Sequence, residues 1–162
     1  MNGLLLSLAQ LALAIVLSAL AAYLAFYLFQ ALTRKLNGWQ GLQQGNLAVG
    51  IVLGAAIVSA AIVLRPALSL DITGWDAGAA LPWKAFLAQA VQLAVGLVLA
   101  VLTLAMALLI FGALTRELDE IEELRNSNLA VAALLAGVLI GVGVMVSQAM
   151  AQLMTAIASL IL

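Results

Sequence analysis

Two stretches decide the architecture: ALTRELDEIEELRNSNLAVA at residues 113–132 and ALTRKLNGWQGLQQGNLAVG at residues 31–50. A chain with little polar sequence says nearly the same polar thing twice. Sliding one copy by 82 residues aligns the pair without a gap and superimposes Thr33 on Thr115, Arg34 on Arg116 and Asn46 on Asn128. The same offset pairs Phe29 with Phe111 and Gln10 with Gln92. Each stretch lies between long uncharged runs, so the repeating unit reads as helix, polar tip, helix, used twice.

The runs themselves are Met1 to Thr33, Leu36 to Leu64, Ala85 to Thr115 and Asn126 to Leu162. Hydrophobic residues make up 67% of the 162 and charged residues 8%, with a mean hydropathy of +1.25. Soluble domains carry roughly a quarter charged residues, so this chain cannot cover a water-facing surface, and a lipid bilayer is its expected solvent. A helix needs roughly 20 apolar residues to cross about 30 Å of hydrocarbon, and each run qualifies once its polar ends are trimmed. None alternates in the way of a membrane β-barrel strand. The expected fold class is therefore an all-α integral membrane protein. Its four transmembrane helices form a tandem repeat of two helical hairpins with parallel orientation.

The expected boundaries follow. Residues 1–68 form the first unit, with helices at about 4–32 and 47–64. Residues 69–84 form an outer connection, and residues 85–150 the second unit, with helices at about 85–114 and 129–147. No Lys or Arg precedes Arg34, and the first run exceeds a signal-peptide core in length, so it reads as a retained helix. The fourth run continues for 34 residues from Leu129 to Leu162 without a charge, about 50 Å as a straight helix. The repeat matches Ser147-Gln148 to Arg65-Pro66 and so ends the span near there. Residues 151–162 are then an amphipathic extension lying in the outer interface or packing on a neighbouring subunit, or else a tilted continuation of the helix.

Two helices per unit is an even number, so both tips lie on one face of the membrane and both termini on the other. The tips hold Arg34, Lys35, Arg116 and Arg125, and the opposite face Arg65 and Lys84. The positive-inside rule places the tips in the cytoplasm and the termini on the periplasmic or outer side. Asn46 and Asn128 stand directly before an LAV triplet and read as N-caps of the re-entering helices. Thr33-Arg34 and Thr115-Arg116 close the preceding ones, where a cation suits the helix C-terminus.

The second tip carries Glu117, Asp119, Glu120, Glu122 and Glu123, five of the seven acidic residues. It reads as a solvated juxtamembrane helix, as a docking surface for a basic cytoplasmic partner, or as a divalent-cation site. The first tip has glycines and amides instead. Within the spans, Gln10 and Ser18 on the first and Gln89, Gln92 and Thr103 on the third share one neutral polar stripe. The second and fourth carry Gly50-x-x-x-Gly54 and Gly137-x-x-x-Gly141. Small residues and amides suit helix packing within or between subunits, which makes a homo-oligomer the expectation. A stripe of this kind can also line a pore.

The chain has no cysteine and no histidine, which removes thiolate chemistry and the commonest zinc and haem ligands. No ionisable residue sits mid-span, no phosphate-binding loop or nucleophile–base pair is present, and no basic stripe suits a nucleic acid. The expectation is no enzyme, no cofactor and no metal.

The stretch ALTRELDEIEELRNSNLAVAALLAGVLIGVGVMV at 113–146, with LRPAL at 64–68, resembles the YjfL-like bacterial inner-membrane family, built from a duplicated two-helix domain of unknown function. The resemblance implies a four-helix protein of the bacterial inner membrane. It also implies envelope-stress gene neighbourhoods with phage-shock-like proteins and amine-ligating enzymes, and no catalytic residues to carry over. The leading expectation is a non-enzymatic, oligomeric scaffold or envelope-stress component that docks a partner through its acidic tip. The alternative is a small channel or transporter lined by the first and third spans.

Overall fold

The structure, a computed structural model, describes residues 38–68, 83–115 and 119–161, together with residues 8, 12, 15, 16, 19, 20, 22–24, 26, 27 and 29–31. All described positions up to residue 31 are helical. The further elements are α1 (Gly38–Gln43), α2 (Leu47–Leu68), α3 (Trp83–Leu114), α4 (Glu120–Arg125) and α5 (Leu129–Ile161). The expected span at 4–32 falls mostly outside the described residues. Three described helices are long and apolar enough to cross a membrane, over Leu47–Leu68, Ala90–Leu114 and Leu129–Ile157.

The two tips are built by one device. In the first, the backbone N–H groups of Gln44, Gly45 and Asn46 donate to the carbonyls of Gln40, Leu42 and Gly41. In the second, Asn126, Ser127 and Asn128 donate to Glu122, Leu124 and Glu123, the same bonds 82 residues on. Both turns pass through a left-handed residue, Gly45 at φ 71° and Ser127 at φ 62°. That conformation is free for glycine and strained for serine. Each asparagine then caps the helix it opens. Asn46 Oδ1 accepts from Val49 N at 3.1 Å, and Asn128 Oδ1 accepts from Ala130 N at 3.1 Å and Val131 N at 3.4 Å. These bonds satisfy backbone donors that a helix start leaves unpaired.

α2, α3 and α5 pack on one another, and α2 is the most buried of the three. Over half of its spanning window is buried (56%), against 28% for α3 and for α5. A helix that is apolar all round has no amphipathic stripe, so side-chain size decides which face turns inward. On α3 the inward face is Gly96, Ala100, Thr103, Ala107 and Phe111, all buried, while Val98, Leu102, Met106 and Leu109 point outward. α2 and α5 approach closely at Ser59, whose hydroxyl donates to Leu139 O at 2.7 Å. Gly143 faces the same residue: a Cβ there would stand 2.5 Å from Ser59 Oγ and 3.2 Å from its Cα. The backbones meet because that position has no side chain.

The fourth span departs from the boundary at 147. α5 runs unbroken to Ile161, through Ser147, whose hydroxyl turns back to Val144 O. The matching segment of α2 carries Pro66 close to its end at Leu68, where a missing N–H and ring clash favour termination. Nothing comparable interrupts α5. Continuation also has a packing reward, since Met150 and Met154 are buried with Ala67 against Val95 and Leu99. Residues 151–161 are thus a continuation of the helix, seated on their own chain. At about 50 Å the helix exceeds the hydrocarbon core, so it tilts or projects from it. α2 likewise extends past 64 to Leu68, and α3 begins at Trp83.

Candidate functional site

Among the described residues, most of the charged side chains gather where the two tips meet. A half-open cleft of about 770 Å³ lies between them, with Gln40, Gln44 and Asn46 on one side and Asp119, Glu122 and Arg125 on the other. Val49 and Ile121 add apolar lining. Asp119 is the N-cap of α4, its carboxylate accepting from Glu122 N at 3.3 Å. Glu122 and Arg125 lie one turn apart and are exposed. Glu123 is turned inward, where its Oε2 accepts from Asn128 Nδ2 at 2.7 Å.

One bond set joins the tips directly. Asn46 Nδ2 donates to Leu124 O at 2.9 Å and to Arg125 O at 3.0 Å, the carbonyls that end α4. A single side chain therefore caps α2 through its oxygen and ties down the last turn of α4 through its nitrogen. Among the described residues the cleft offers amide donors and acceptors, two carboxylates and one guanidinium. Among the described residues no three carboxylates converge as a metal site would require.

The other singled-out residues are placed as follows. Glu117, Arg116, Thr33, Arg34, Gln10 and Ser18 lie outside the described residues, as do the side chains of Glu120 and Gln89. Thr115 Oγ1 donates to Phe111 O at 2.8 Å, one turn back toward its own helix. Thr103 is buried, and its hydroxyl donates to Leu99 O at 2.7 Å. Gln92 is half-buried and donates from Nε2 to Met154 O at 3.0 Å. A Cβ at Gly50 would stand 3.6 Å from Leu42 Cδ2, while at Gly54, Gly137 and Gly141 no described residue comes within 4 Å. Among the described residues, the glycines that bring two spanning helices together are Gly96, against Ala67, Leu64 and Met150, and Gly143 against Ser59. Run length and repeat matching do not single out Ser59 or Gly143. A serine in an apolar span is the available signal, since a hydroxyl without water seeks a carbonyl.

The Gln92 contact has a measurable weight. Gln92→Leu removes one interhelical bond of a kind worth about 0.6 kcal/mol on average in membrane proteins. The variant is expected to unfold in mixed detergent micelles at a slightly lower denaturing-detergent fraction, with α3 and α5 still assembled.

No curated protein and no solved structure matches the chain. One family model, described as a domain of unknown function (DUF350), matches twice, over residues 2–98 and 84–162. The matches overlap at the start of α3 and together take in nearly the whole sequence. The chain thus belongs to the DUF350 family, in a duplicated form.

Proposed function

We propose that this chain is a non-enzymatic protein of the bacterial inner membrane that docks a cytoplasmic protein partner in the cleft between its polar tips. In this reading the protein has four spans, arranged as two parallel hairpins in tandem. Both tips face the cytoplasm and both termini the opposite side, and the protein works as an oligomeric scaffold, in keeping with the envelope-stress setting that the YjfL-like resemblance implies. The observation that carries it is the cleft itself: in a chain with 8% charged residues, Asp119, Glu122 and Arg125 share one concave surface with the amides of the other tip. A lipid-embedded protein that needed its tips only as turns has no use for such a surface, and exposed charges there favour a polar partner over lipid. The channel alternative has less support, because Gly96, Ala100, Thr103 and Ala107 are buried inside the chain.

A photo-crosslinking residue in place of Gln44, read in cells of the native host, tests the docking. A discrete protein adduct is expected from Gln44, none of it from lipid-facing Leu109, and its loss on Glu122→Lys. An adduct that survives the charge reversal, or no adduct at all, overturns the proposal. The absence of native cysteine makes the topology separately readable. Glu122→Cys should react with a membrane-impermeant maleimide only after the inner membrane is opened.

A further inference from the structure

We propose that Asn46 is a latch that locks the two polar tips into one rigid body, a task its repeat counterpart Asn128 does not share. The two asparagines stand 82 residues apart, open equivalent helices and use their Oδ1 atoms in the same way, on backbone N–H groups of the first turn. Their amide nitrogens part company. Asn128 Nδ2 stays within its own tip, on Glu123 Oε2 at 2.7 Å. Asn46 Nδ2 crosses to the other unit and donates to Leu124 O and Arg125 O.

The residue at position 41 accounts for the difference. Glu123 of the second tip corresponds to Gly41 of the first, and at Gly41 a Cβ would stand 3.0 and 3.1 Å from the two γ-methyl groups of Val49. A side chain there would be tight against Val49, and with glycine at 41 and no Asp or Glu in the first tip Asn46 has no local acidic acceptor. Its amide reaches outward to carbonyls of the last turn of α4, Arg125 O and Leu124 O, the second of which also accepts from Ser127 N. The absence of an acid at position 41 thus goes with the cross-tip bond, as Glu123 goes with the local one. With its oxygen on α2 and its nitrogen on α4, Asn46 couples the start of one helix to the end of the other. It fixes the width of the cleft that lies between Gln40 and Asn126. This coupling holds whether or not the cleft receives a partner.

The chemistry supplies a clean separation of the two roles. Asp caps a helix about as well as Asn, so Asn46→Asp keeps the cap while removing both donors and setting a carboxylate against two carbonyls. Asn128→Asp makes the same chemical change where no cross-tip bond exists, and its like-charge contact with Glu123 stays inside the second tip. The experiment is electron-spin distance measurement in lipid nanodiscs, on full-length chain with nitroxides at Gln40→Cys and Asn126→Cys. A single narrow distance distribution is expected for the parent and for Asn128→Asp. Asn46→Asp should broaden it and add a population at longer distance. Should Asn46→Asp fail to insert, Asn46→Ser gives the same reading, since serine caps well and can supply at most one of the two donors. A distribution for the Asn46 variants that superimposes on the parent overturns the proposal, as does equal broadening in Asn128→Asp.

Discussion

Gly143→Leu is expected to lower the stability of the folded helix bundle by about 1–3 kcal/mol, the usual range for forcing extra atoms into a packed contact. The new Cβ would meet Ser59 Oγ at 2.5 Å and the Ser59 Cα and carbonyl oxygen at 3.2 Å. The last two are backbone atoms, so rotating one side chain cannot relieve the clash and α2 must move away from α5. That movement also breaks the Ser59 Oγ to Leu139 O bond, leaving a hydroxyl and a carbonyl facing each other without contact in a medium with no water to replace it. Equilibrium unfolding in mixed detergent micelles measures the change. Gly141→Leu is the internal control, because no described residue lies within 4 Å of its Cβ position; it should stay within about 0.5 kcal/mol of the parent. Equal effects at the two glycines would mean that α2 and α5 do not cross at Ser59.

The second large effect is expected at the tip end of the bundle. Phe111 is 2% exposed and Phe29 fully buried, in one cluster with Val49, Leu53, Leu104 and Leu135. In a water-soluble core, Phe→Ala costs about 3–5 kcal/mol, part of which is transfer from water to the interior. In a bilayer the unfolded side chain already sits in an apolar medium, so that part is small and the loss of packing contacts remains. Phe111→Ala is therefore expected to cost about 2–3 kcal/mol, read in the same unfolding assay. Leu109→Ala, on the same helix but 74% exposed, should be close to neutral. If the two substitutions cost the same, the cluster at the tips is not a packed core.

The pairing of Gly143 with Gly141, and of Phe111 with Leu109, marks the boundary of what a sequence of this kind can say. Hydropathy, uncharged run length and the 82-residue repeat depend on residue order alone. They make the chain a helical, lipid-embedded protein with two equivalent tips. Local hydrogen bonding is equally legible, because a cap reaches only a few residues. The LAV triplets place Asn46 and Asn128 at helix starts, and both cap as expected. The end of the fourth span is where the repeat misleads, and the reason is again local. The match to Arg65-Pro66 implies an end at Ser147-Gln148, but no proline or glycine stands there to stop a helix, and buried Met150 and Met154 favour its continuation.

Which face turns inward is legible on α3, whose stripe is buried at Thr103 and half-buried at Gln92, but not on α2 and α5. In water, the polar face of a helix marks its outside; in lipid all faces are apolar, and that signal vanishes. Gly141 and Gly143 look alike as residues, yet two positions on a helix differ by about 200° in direction, and only the crossing of α2 and α5 puts the second against Ser59. The cleft depends on the same tertiary fact. Composition locates the acidic residues on the second tip and the amides on the first. Only the packing of α2 beside α5 brings the tips close enough for Asn46 to reach Leu124 and Arg125, since a hydrogen bond spans about 3 Å and the residues it joins lie almost half the chain apart.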